Sequence, residues 1–498
     1  MTNTQTIKTN TDHPFRMLVA LAVLAMVAAM LLSAKPSYAA TTFTVNSTAD
    51  QADASGADGV CDVSPNVSGP QCTLRAAIEQ ANFTEGANVI NFNIPGTGVQ
   101  TIRPSTALPT IAEQTTIDGY TQPGASPNTK AVGNDASLKV QLDGTNAGSS
   151  TTGLQILASN SVVKGLVINR FSHSGIFVFG STVGDRIEGN FVGTDPTGTI
   201  DLGNGLAGLD IEGDGLSQAV VGGATPAARN LISGNGTEGV FLGGSFFGAP
   251  SDSLRVQGNH VGTDRSGTKE LGNDEIGLDL EAASNTTVGG TTSASRNVVS
   301  GNGSDGVALV LAPDTRMLGN RIGTTASGTG ALGNAGFGVL INGSSNNRIG
   351  DGTAAGSNTI AFNAKDGIGV DAISAGNEIS HNSIFSNAGD GIGLSRFLDS
   401  PVLSSAKTSS TKTTTKGSLQ SNQGQTFTLE FFSNPKGTDE GKKFLGQKSV
   451  TTDASGNASF TFSPATKVPV GQTLTATATN TTTHETSVFS LPRTVASA

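Results

Sequence analysis

Short segments in which apolar and polar residues alternate run through the middle of the chain, and many of them open with a glycine. In residues 208–212, the apolar Leu209 and Ile211 alternate with the carboxylates of Asp210 and Glu212. Successive side chains of a β-strand point to opposite faces, so the pattern predicts a strand with apolar residues in a core and acids outside. The same pattern predicts four more inward residues (Leu278, Leu280, Val339 and Ile341) and two more outward ones (Asp279 and Glu281).

The alternating segments belong to internal repeats between residues 150 and 395. The sequence Gly-Asn-Phe-Val-Gly-Thr-Asp at 189–195 returns in related form at 258–264 and 319–325. Each repeat contains two strands that open with glycine, near Gly208 and Gly239, Gly277 and Gly306, and Gly338 and Gly367. Their spacing of about 30 residues suits one coil of a parallel β-helix carrying a loop insertion, whereas leucine-rich repeats are shorter and propeller blades have a longer, even period.

Asparagines and aspartates recur at fixed places in these repeats. Asn190, Asn259 and Asn320 occupy turn positions, where asparagine tolerates a left-handed backbone, and we expect them to stack as a hydrogen-bonded ladder from coil to coil. Asp195 and Asp264 precede glycine-containing turns and are typical of Asx-turns, although calcium binding is the alternative interpretation. The third copy has a threonine at this position, which does not favour calcium.

The pattern changes after residue 398. A Ser/Thr/Lys-rich stretch is followed by longer alternating strands, at 426–432, 458–462 and 473–478, with a turn between the first two. Alternation at this spacing predicts a small β-sandwich within residues 399–498.

The first 39 residues have the organisation of a signal peptide. A polar start with Lys8 and Arg16 precedes an almost wholly apolar run at 17–32, and Ser37-Tyr38-Ala39 places small residues where a signal peptidase cleaves. An uncleaved membrane anchor is the alternative, but the run is short for a bilayer span. We therefore expect a secreted or envelope-surface protein that does not span the membrane once the signal is removed.

Net charge and cysteine content exclude some classes of binding partner. Removing residues 1–39 takes away Lys8, Arg16, Lys35 and one acid, Asp12, so the net charge changes from −10 to −12. An acidic chain is not drawn to nucleic acid by its overall field. Cys61 and Cys72 in an exported chain are predicted to form a disulfide, because no histidine lies near enough for a zinc site. No cofactor and no metal site is predicted.

The phrase Cys72-Thr-Leu-Arg-Ala-Ala-Ile-Glu-Gln-Ala-Asn82 predicts an amphipathic helix that covers the open end of a stacked β structure. Together with Cys61, it resembles the N-terminal cap of secreted bacterial right-handed parallel β-helix proteins, the CSLREA-type surface proteins. The resemblance implies an all-β chain: a cap region at 40–100 with its capping helix, a right-handed parallel β-helix at 101–398, and a small β-sandwich similar to the immunoglobulin-like modules of bacterial surface proteins. It implies architecture and compartment rather than activity.

The candidate chemistry is an acidic column formed by Asp210, Glu212, Asp279 and Glu281. The simplest role of outward carboxylates is to keep the β surface soluble. In the third copy of the repeat, Leu340 and Asn342 stand at these positions, so the column is interrupted there. Side chains two apart on a strand lie roughly 6.5 Å apart, near the lower end of the separation of the acid and base of inverting glycosidases.

Other features do not favour an enzyme. The motifs of polygalacturonases are absent from the sequence. The histidines His260 and His381 are expected at turns or at the surface. Most of the phenylalanines (Phe177, Phe179, Phe241, Phe246 and Phe247) are expected in core or coil packing. The chain has no tryptophan and two tyrosines, although sugar-binding grooves commonly use these residues.

We therefore expect a non-catalytic surface or extracellular scaffold for adhesion or glycan contact, whose partner is a surface glycan or an extracellular protein. The competing hypothesis is a polysaccharide lyase or glycoside hydrolase that acts on an acidic polysaccharide through Asp210, Glu212, Asp279 and Glu281.

Overall fold

Parallel strands from successive coils stack into three long sheets in the computed structural model, which describes residues 40–67, 71–244, 248–394 and 399–498. The segment 1–39, with its predicted signal peptide, lies outside the described residues, as do Phe246 and Phe247. Each coil contributes a strand to each sheet in turn along most of the stack. This is the right-handed parallel β-helix that the sequence predicts.

The strands of the three sheets have the following bounds. Sheet A contains Thr41–Val45, Asn88–Phe92, Thr115–Asp118, Val162–Lys164, Arg186–Glu188, Val220–Gly222, Arg255–Gln257, Thr287–Gly289, Arg316–Leu318, Arg348–Ile349 and Glu378–Ile379. Sheet B contains Gln100–Ile102, Val140–Asp143, Leu166–Asn169, Phe191–Val192, Leu231–Ile232, His260–Val261, Val298–Val299, Arg321–Ile322, Thr359–Ala361 and Ser383–Phe385. Sheet C contains Leu154–Ile156, Ile176–Phe179, Leu209–Gly213, Val240–Gly244, Leu278–Glu281, Val307–Val310, Val339–Asn342, Ile368–Val370 and Ile392–Leu394.

Several short elements lie outside these sheets. A two-stranded parallel pair is formed by Ser251–Asp252 and Ala283–Ser284, and 3-10 turns occur at Gly119–Thr121, Gly144–Asn146 and Pro226–Ala228.

The strand parity predicted from the alternation is confirmed. Leu209 pairs with Val240, which pairs with Leu278, so each inward residue stacks on its equivalents in the coils above and below. All six residues predicted to point inward (Leu209, Ile211, Leu278, Leu280, Val339 and Ile341) are at most 1% exposed and belong to one continuous apolar core. A slip of one residue would place carboxylates in that core, which fixes the register.

The N-terminal end is covered by the helix Leu74–Phe83. Thr73 caps this helix, because its hydroxyl accepts the backbone N–H of Ala76 at 3.0 Å. Leu74 and Ile78 are buried and join the β-helix core, and the helix packs against the first two strands of sheet A. Within the described part of the chain, no helix is both long and apolar enough to cross a membrane.

The predicted disulfide between Cys61 and Cys72 is present beside this helix. It fixes the loop that leads into the helix. Two strands within residues 40–100, the range predicted as the cap region, are members of sheet A: Thr41–Val45 and Asn88–Phe92. The first strand of sheet B, Gln100–Ile102, begins at the last residue of that range.

Two asparagine ladders run along the coils. In the first ladder, each side-chain amide donates to the side-chain oxygen of the next member at 2.9–3.3 Å. Its members are Asn190, Asn230, Asn259, Asn297, Asn320, Asn358 and Asn382. The second ladder has distances of 2.9–3.0 Å and comprises Asn204, Asn235, Asn273, Asn302, Asn334, Asn363 and Asn387. The predicted asparagines Asn190, Asn259 and Asn320 all belong to the first ladder, where Asn230 and Asn297, which were not predicted, lie between them. The second ladder was not predicted.

The C-terminal region forms two four-stranded, mainly antiparallel sheets. One contains Val402–Thr408, Thr413–Gln420, Asn457–Phe462 and Ala496–Ser497; the other contains Thr426–Asn434, Lys443–Thr451, Thr473–Asn480 and Arg493–Thr494. Their inner faces share an apolar core, in which the rings of Phe431 and Phe462 stack at 4.1 Å across the two sheets. This arrangement is a small β-sandwich.

The sandwich packs directly on the last coil. Ile384 of the β-helix forms a bridge with Gly441, and the Thr486 hydroxyl accepts the backbone N–H of Ile379 at 2.9 Å. The carboxylate of Glu430 accepts the Ser380 hydroxyl and the His381 N–H. The backbone groups that a further coil would have paired are thus partly satisfied by the sandwich.

Candidate functional site

The outer face of sheet C carries carboxylates and phenyl rings in alternating register. Phe177, Asp210, Phe241 and Asp279 follow one another along one column of paired positions. In the parallel column the paired positions are Phe179, Glu212, Gly243 and Glu281. We call Asp210, Glu212, Glu238, Asp279 and Glu281 the acidic face; Glu238 lies just before the strand Val240–Gly244.

Phe177, Phe179 and Phe241 are half-buried and lie outside the β-helix core, so of the two expected positions, core or coil, the core is wrong for these three rings. Phe177 and Phe179 stack with ring centroids 5.0 Å apart. The Phe241 ring leans over Gly243, where a Cβ atom would lie 2.5 Å from the ring. A side chain at residue 243 would displace the ring, so this glycine lets Phe241 occupy the space between Glu212 and Glu281.

Asp210 lies at the first acidic position of the column. Burial, followed by the charges of Glu212 and Glu238, raises its pKa to about 7, against the smaller opposing effect of a hydrogen bond from Ser174. The Ser174 hydroxyl donates to Oδ2 at 3.4 Å, while Oδ1 has no hydrogen-bond partner among the described residues. At neutral pH this carboxyl group is therefore divided between its protonated and ionised forms.

Asp279, two coils further on, is only 5% exposed. Burial and then the charges of Glu281 and Glu238, with smaller effects of Asp305 and Glu275, raise its pKa to about 7. Its Oδ1 likewise finds no hydrogen-bond partner in the described ranges. The pKa of Glu281 is also raised, by burial and by Glu238.

These positions correct part of the sequence interpretation. The four predicted carboxylates point away from the core, but Asp210 and Asp279 are not the exposed, solubilising charges that were expected. The charge of Glu238 adds to that of the four predicted acids and raises the pKa values of Asp210, Asp279 and Glu281. Glu238 was not predicted from the sequence, because the outward strand residues of its coil are Phe241 and Gly243 rather than acids. No sequence signal outside the strand pattern marks it.

The separations limit what this face can do. Asp210 and Asp279 are two coils apart, roughly 10 Å at about 4.8 Å per coil, with Phe241 between them. Within the described ranges, no three acidic, histidine or cysteine side chains are arranged to hold a metal ion. The arrangement offers protonated carboxyl donors, ionised acceptors and ring faces along one surface, a combination suited to hydroxyl-rich ligands.

The loop aspartates have a different role. The Asp195 carboxylate accepts the Thr197 hydroxyl at 2.6 Å and the backbone N–H groups of Thr199 and Ile200 at 2.9 and 3.0 Å. Asp264 does the same for its own loop. Both residues therefore stabilise turns, as the Asx-turn interpretation predicts.

The two histidines differ from each other. His260 was expected at a turn or at the surface, yet it is 2% exposed on the outer side of sheet B, under the loops that cover that sheet. Burial and the nearby Arg229 lower its pKa to about 3, so it is neutral. His381 lies at a left-handed turn and its ring stacks on Phe444 of the sandwich at 3.8 Å.

Comparison with known proteins finds distant similarity of structure only. The chain is similar to the periplasmic alginate epimerase AlgG (12% identity, 64% of this chain and 69% of that chain, TM-score 0.32). It is also similar to the enzymatically active domain of tailspike protein 2 of bacteriophage CBA120 (10%, 84% and 73%, 0.32) and to PfbA, a surface adhesin of Streptococcus pneumoniae (9%, 77% and 90%, 0.24). No family model and no curated protein matches the sequence. At these TM-scores the similarities support no statement about activity.

Proposed function

We propose that this chain is an exported scaffold that binds a glycan on the outer face of sheet C without changing it. In this proposal residues 1–39 direct export to the surface or the extracellular space, residues 40–100 form a CSLREA-type cap, residues 101–398 form the binding β-helix, and residues 399–498 form an immunoglobulin-like module. The observation that carries the proposal is the alternation of phenyl rings and carboxyl groups in register along sheet C.

The chemistry of this face favours a neutral or amino-substituted sugar. Burial, and then the charges of neighbouring acids, raise the pKa values of Asp210, Asp279 and Glu281, which means that added negative charge is unfavourable there. A polyuronate would add such charge, whereas hydroxyl groups can donate to carboxylate oxygens of this face and accept from protonated Asp210 or Asp279. The stacked pair Phe177 and Phe179 offers a flat apolar surface beside these groups.

A glycoside hydrolase is the second candidate, and one observation favours it. Asp210 and Asp279 have pKa values of about 7, which suits a general acid at neutral pH, and each has a glutamate two residues further along its strand. A separation of roughly 6.5 Å between such side chains lies within the range of inverting enzymes. A lyase, which would act on the acidic polysaccharides that this face repels, is less compatible with the same charges.

The two candidates are separated by one pair of assays. Wild-type protein and the quadruple variant Asp210→Asn, Glu212→Gln, Asp279→Asn and Glu281→Gln are applied to a glycan array and to soluble polysaccharides, with release of reducing or unsaturated sugars as the second readout. The control variant removes four exposed carboxylates elsewhere: Glu85→Gln, Glu270→Gln, Asp314→Asn and Asp399→Asn.

The scaffold proposal expects array binding that the quadruple variant loses by at least tenfold, that the control variant retains, and that is accompanied by no sugar release. Sugar release by wild-type protein that the quadruple variant lacks would overturn the scaffold in favour of the hydrolase. If the quadruple variant binds the array as wild type does, the acidic face takes part in neither glycan binding nor hydrolysis.

A further inference from the structure

A second polar cluster lies on the outer side of sheet B, away from the acidic face. Arg229, Arg296 and Arg321 come from successive parts of the repeats and line one narrow cleft together with His260. Val132 and Ala326, from two loops that lie over the sheet, form part of its rim. Three guanidinium groups are concentrated here in a protein with a net charge of −10.

Arg229 is 2% exposed and is held entirely by backbone carbonyls. Its Nε donates to Gly258 at 2.9 Å, and its terminal nitrogens donate to the carbonyls of Lys130, Ala131 and Gly133. These bonds fix the position of the guanidinium group, but a carbonyl oxygen carries no full charge. The positive charge of Arg229 therefore stays uncompensated in the cleft.

The other two arginines have unused donors. Arg296 donates through Nε to the carbonyl of Gly319 at 2.6 Å, and across the described residues the Arg321 side chain donates to no acceptor. Burial and the charge of Arg296 lower the pKa of Arg321 to about 10, so the two guanidinium groups are near enough to repel each other. A guanidinium group has five N–H donors, so several remain free for a ligand.

No carboxylate balances this charge. Within the described ranges, none of the three arginines forms a salt bridge, although the same chain pairs Arg75 with Asp50 and Arg348 with Glu378. The charge of Asp264 raises the pKa of His260 slightly against the larger effect of burial. The Asp264 carboxylate, however, already accepts hydrogen bonds from Ser266, Thr268 and Lys269 of its own loop. The Nδ1 atom of His260, which is 2% exposed, has no hydrogen-bond partner among the residues described.

The cleft has rigid walls. The loop that carries Val132 is held by Arg229 from below and by Arg265, which donates to the carbonyls of Asn134 and Ala136 at 2.7 and 2.9 Å. The loop that carries Ala326 is stacked on the equivalent loop of the previous repeat, since Ala326 N–H donates to the carbonyl of Gly267 at 2.7 Å. The guanidinium group of Arg229 and the two loops over the cleft are therefore held in place.

We propose that this cleft binds one tetrahedral oxyanion group, sulfate or phosphate, between Arg229, Arg296 and Arg321. Guanidinium groups recognise such oxyanions through paired N–H donors, and a doubly charged group balances several arginines better than a single carboxylate does. The group is either a free anion or the ester substituent of a larger molecule, because the cleft opens to solvent beside the exposed Val132. The site is independent of the acidic face and of the proposed glycan contact there.

The test is isothermal titration of the protein with sodium sulfate and sodium phosphate at constant ionic strength, the balance made up with sodium chloride. We expect saturable binding of one anion per chain, and a dissociation constant at least tenfold weaker in Arg321→Gln and in Arg296→Gln. Arg316→Gln is the matched control, because Arg316 is an exposed arginine of the same repeat that lies on sheet A, and it should bind as wild type. Methyl phosphate, an ester that is mostly doubly charged at neutral pH, is the competitor that distinguishes the sources. Displacement of sulfate indicates that the site accepts esters, and its failure indicates a free anion.

The proposal is overturned if wild-type protein binds sulfate and phosphate no better than chloride, a result that requires no variant to fold. It is also overturned if both glutamine variants retain wild-type affinity, or if Arg316→Gln weakens binding as much as they do. Circular dichroism of each variant before titration establishes that a lost affinity is not a lost fold.

Discussion

The side-chain amide of Asn387 donates to the Glu440 carboxylate at 3.0 Å, which joins the last member of the second asparagine ladder to the β-sandwich. The same carboxylate also accepts the backbone N–H groups of Ser386 and Asn387. Every earlier asparagine of this ladder donates to the asparagine of the next coil. Glu440 therefore takes the place of the next coil, and the sandwich acts as the C-terminal cap of the β-helix.

Replacing Glu440 should destabilise that end of the β-helix. Glu440→Ala leaves three donors of Ser386 and Asn387 without an acceptor in a mostly buried interface, and we expect a loss of about 2–4 kcal/mol in the free energy of unfolding. Urea denaturation followed by circular dichroism measures it. The neighbouring Asp439 is exposed, so Asp439→Ala is the control and should change stability by less than about 0.5 kcal/mol. Equal effects of the two substitutions would contradict the capping role.

The acidic face should make the protein less stable as pH rises from about 4 to 8. The folded-state pKa of Asp210 and Asp279 is about 7, above the ordinary value of 3.8, so between these pH values the folded protein binds more protons than the unfolded chain. Stability therefore falls with increasing pH in that window. We expect this contribution to be about 1–3 kcal/mol for each residue, after allowing for partial solvent screening.

The double variant Asp210→Asn and Asp279→Asn isolates this contribution from that of other acids. The difference in unfolding free energy between variant and wild type should grow in favour of the variant from pH 4 to pH 8, as measured by urea denaturation at each pH. A constant difference across that range would mean that the two carboxyl groups titrate normally.

The strand register predicts opposite results for adjacent residues. Ile211 is 1% exposed in the core, so Ile211→Asp should lower the unfolding free energy by more than about 3 kcal/mol, because it buries an unpaired charge. Asp210→Ser should be neutral at pH 5 and stabilising at pH 8, where a partly buried carboxylate is removed. Equal melting temperatures of the two variants at pH 8 would show that the register is wrong.

The asparagine ladders should contribute to stability at single positions. Asn273 accepts from Asn235 and donates to Asn302, both at 2.9 Å, and is 1% exposed. Asn273→Ala should cost about 2–3 kcal/mol, since it leaves buried polar groups of both neighbours unpaired. Asn342 on the outside of sheet C is exposed and provides the control, because Asn342→Ala should be close to neutral. Thermal unfolding monitored by circular dichroism compares the two variants, and equal losses would contradict a ladder role.

Strand parity, the capping helix, the disulfide and one asparagine ladder could be predicted because each depends on residues close together in the chain or repeated at a fixed interval. Leu209 and Ile211 point inward because successive side chains of a strand point to opposite faces, and five residues of sequence are enough to show this alternation. Asn190 and Asn259 join one ladder, through Asn230 of the coil between them, because the repeat places equivalent turns in register. The sandwich followed from the alternation of its own strands.

The burial of Asp279, the arginine cleft and the cap formed by Glu440 were decided by the tertiary structure alone. Burial and the charge of Glu281 raise the pKa of Asp279, and Glu238 and Asp305, which belong to the coils on either side, raise it further. Arg229 is held by carbonyls of residues 130–133, nearly one hundred positions earlier, and Glu440 reaches Asn387 across 53 residues. Local patterning fixes which face a side chain takes. Which charged groups lie near that side chain, and how far it is buried, depend on loops of unequal length that fold back over the sheets. The lengths of these loops follow no repeat, so they cannot be read from the sequence pattern.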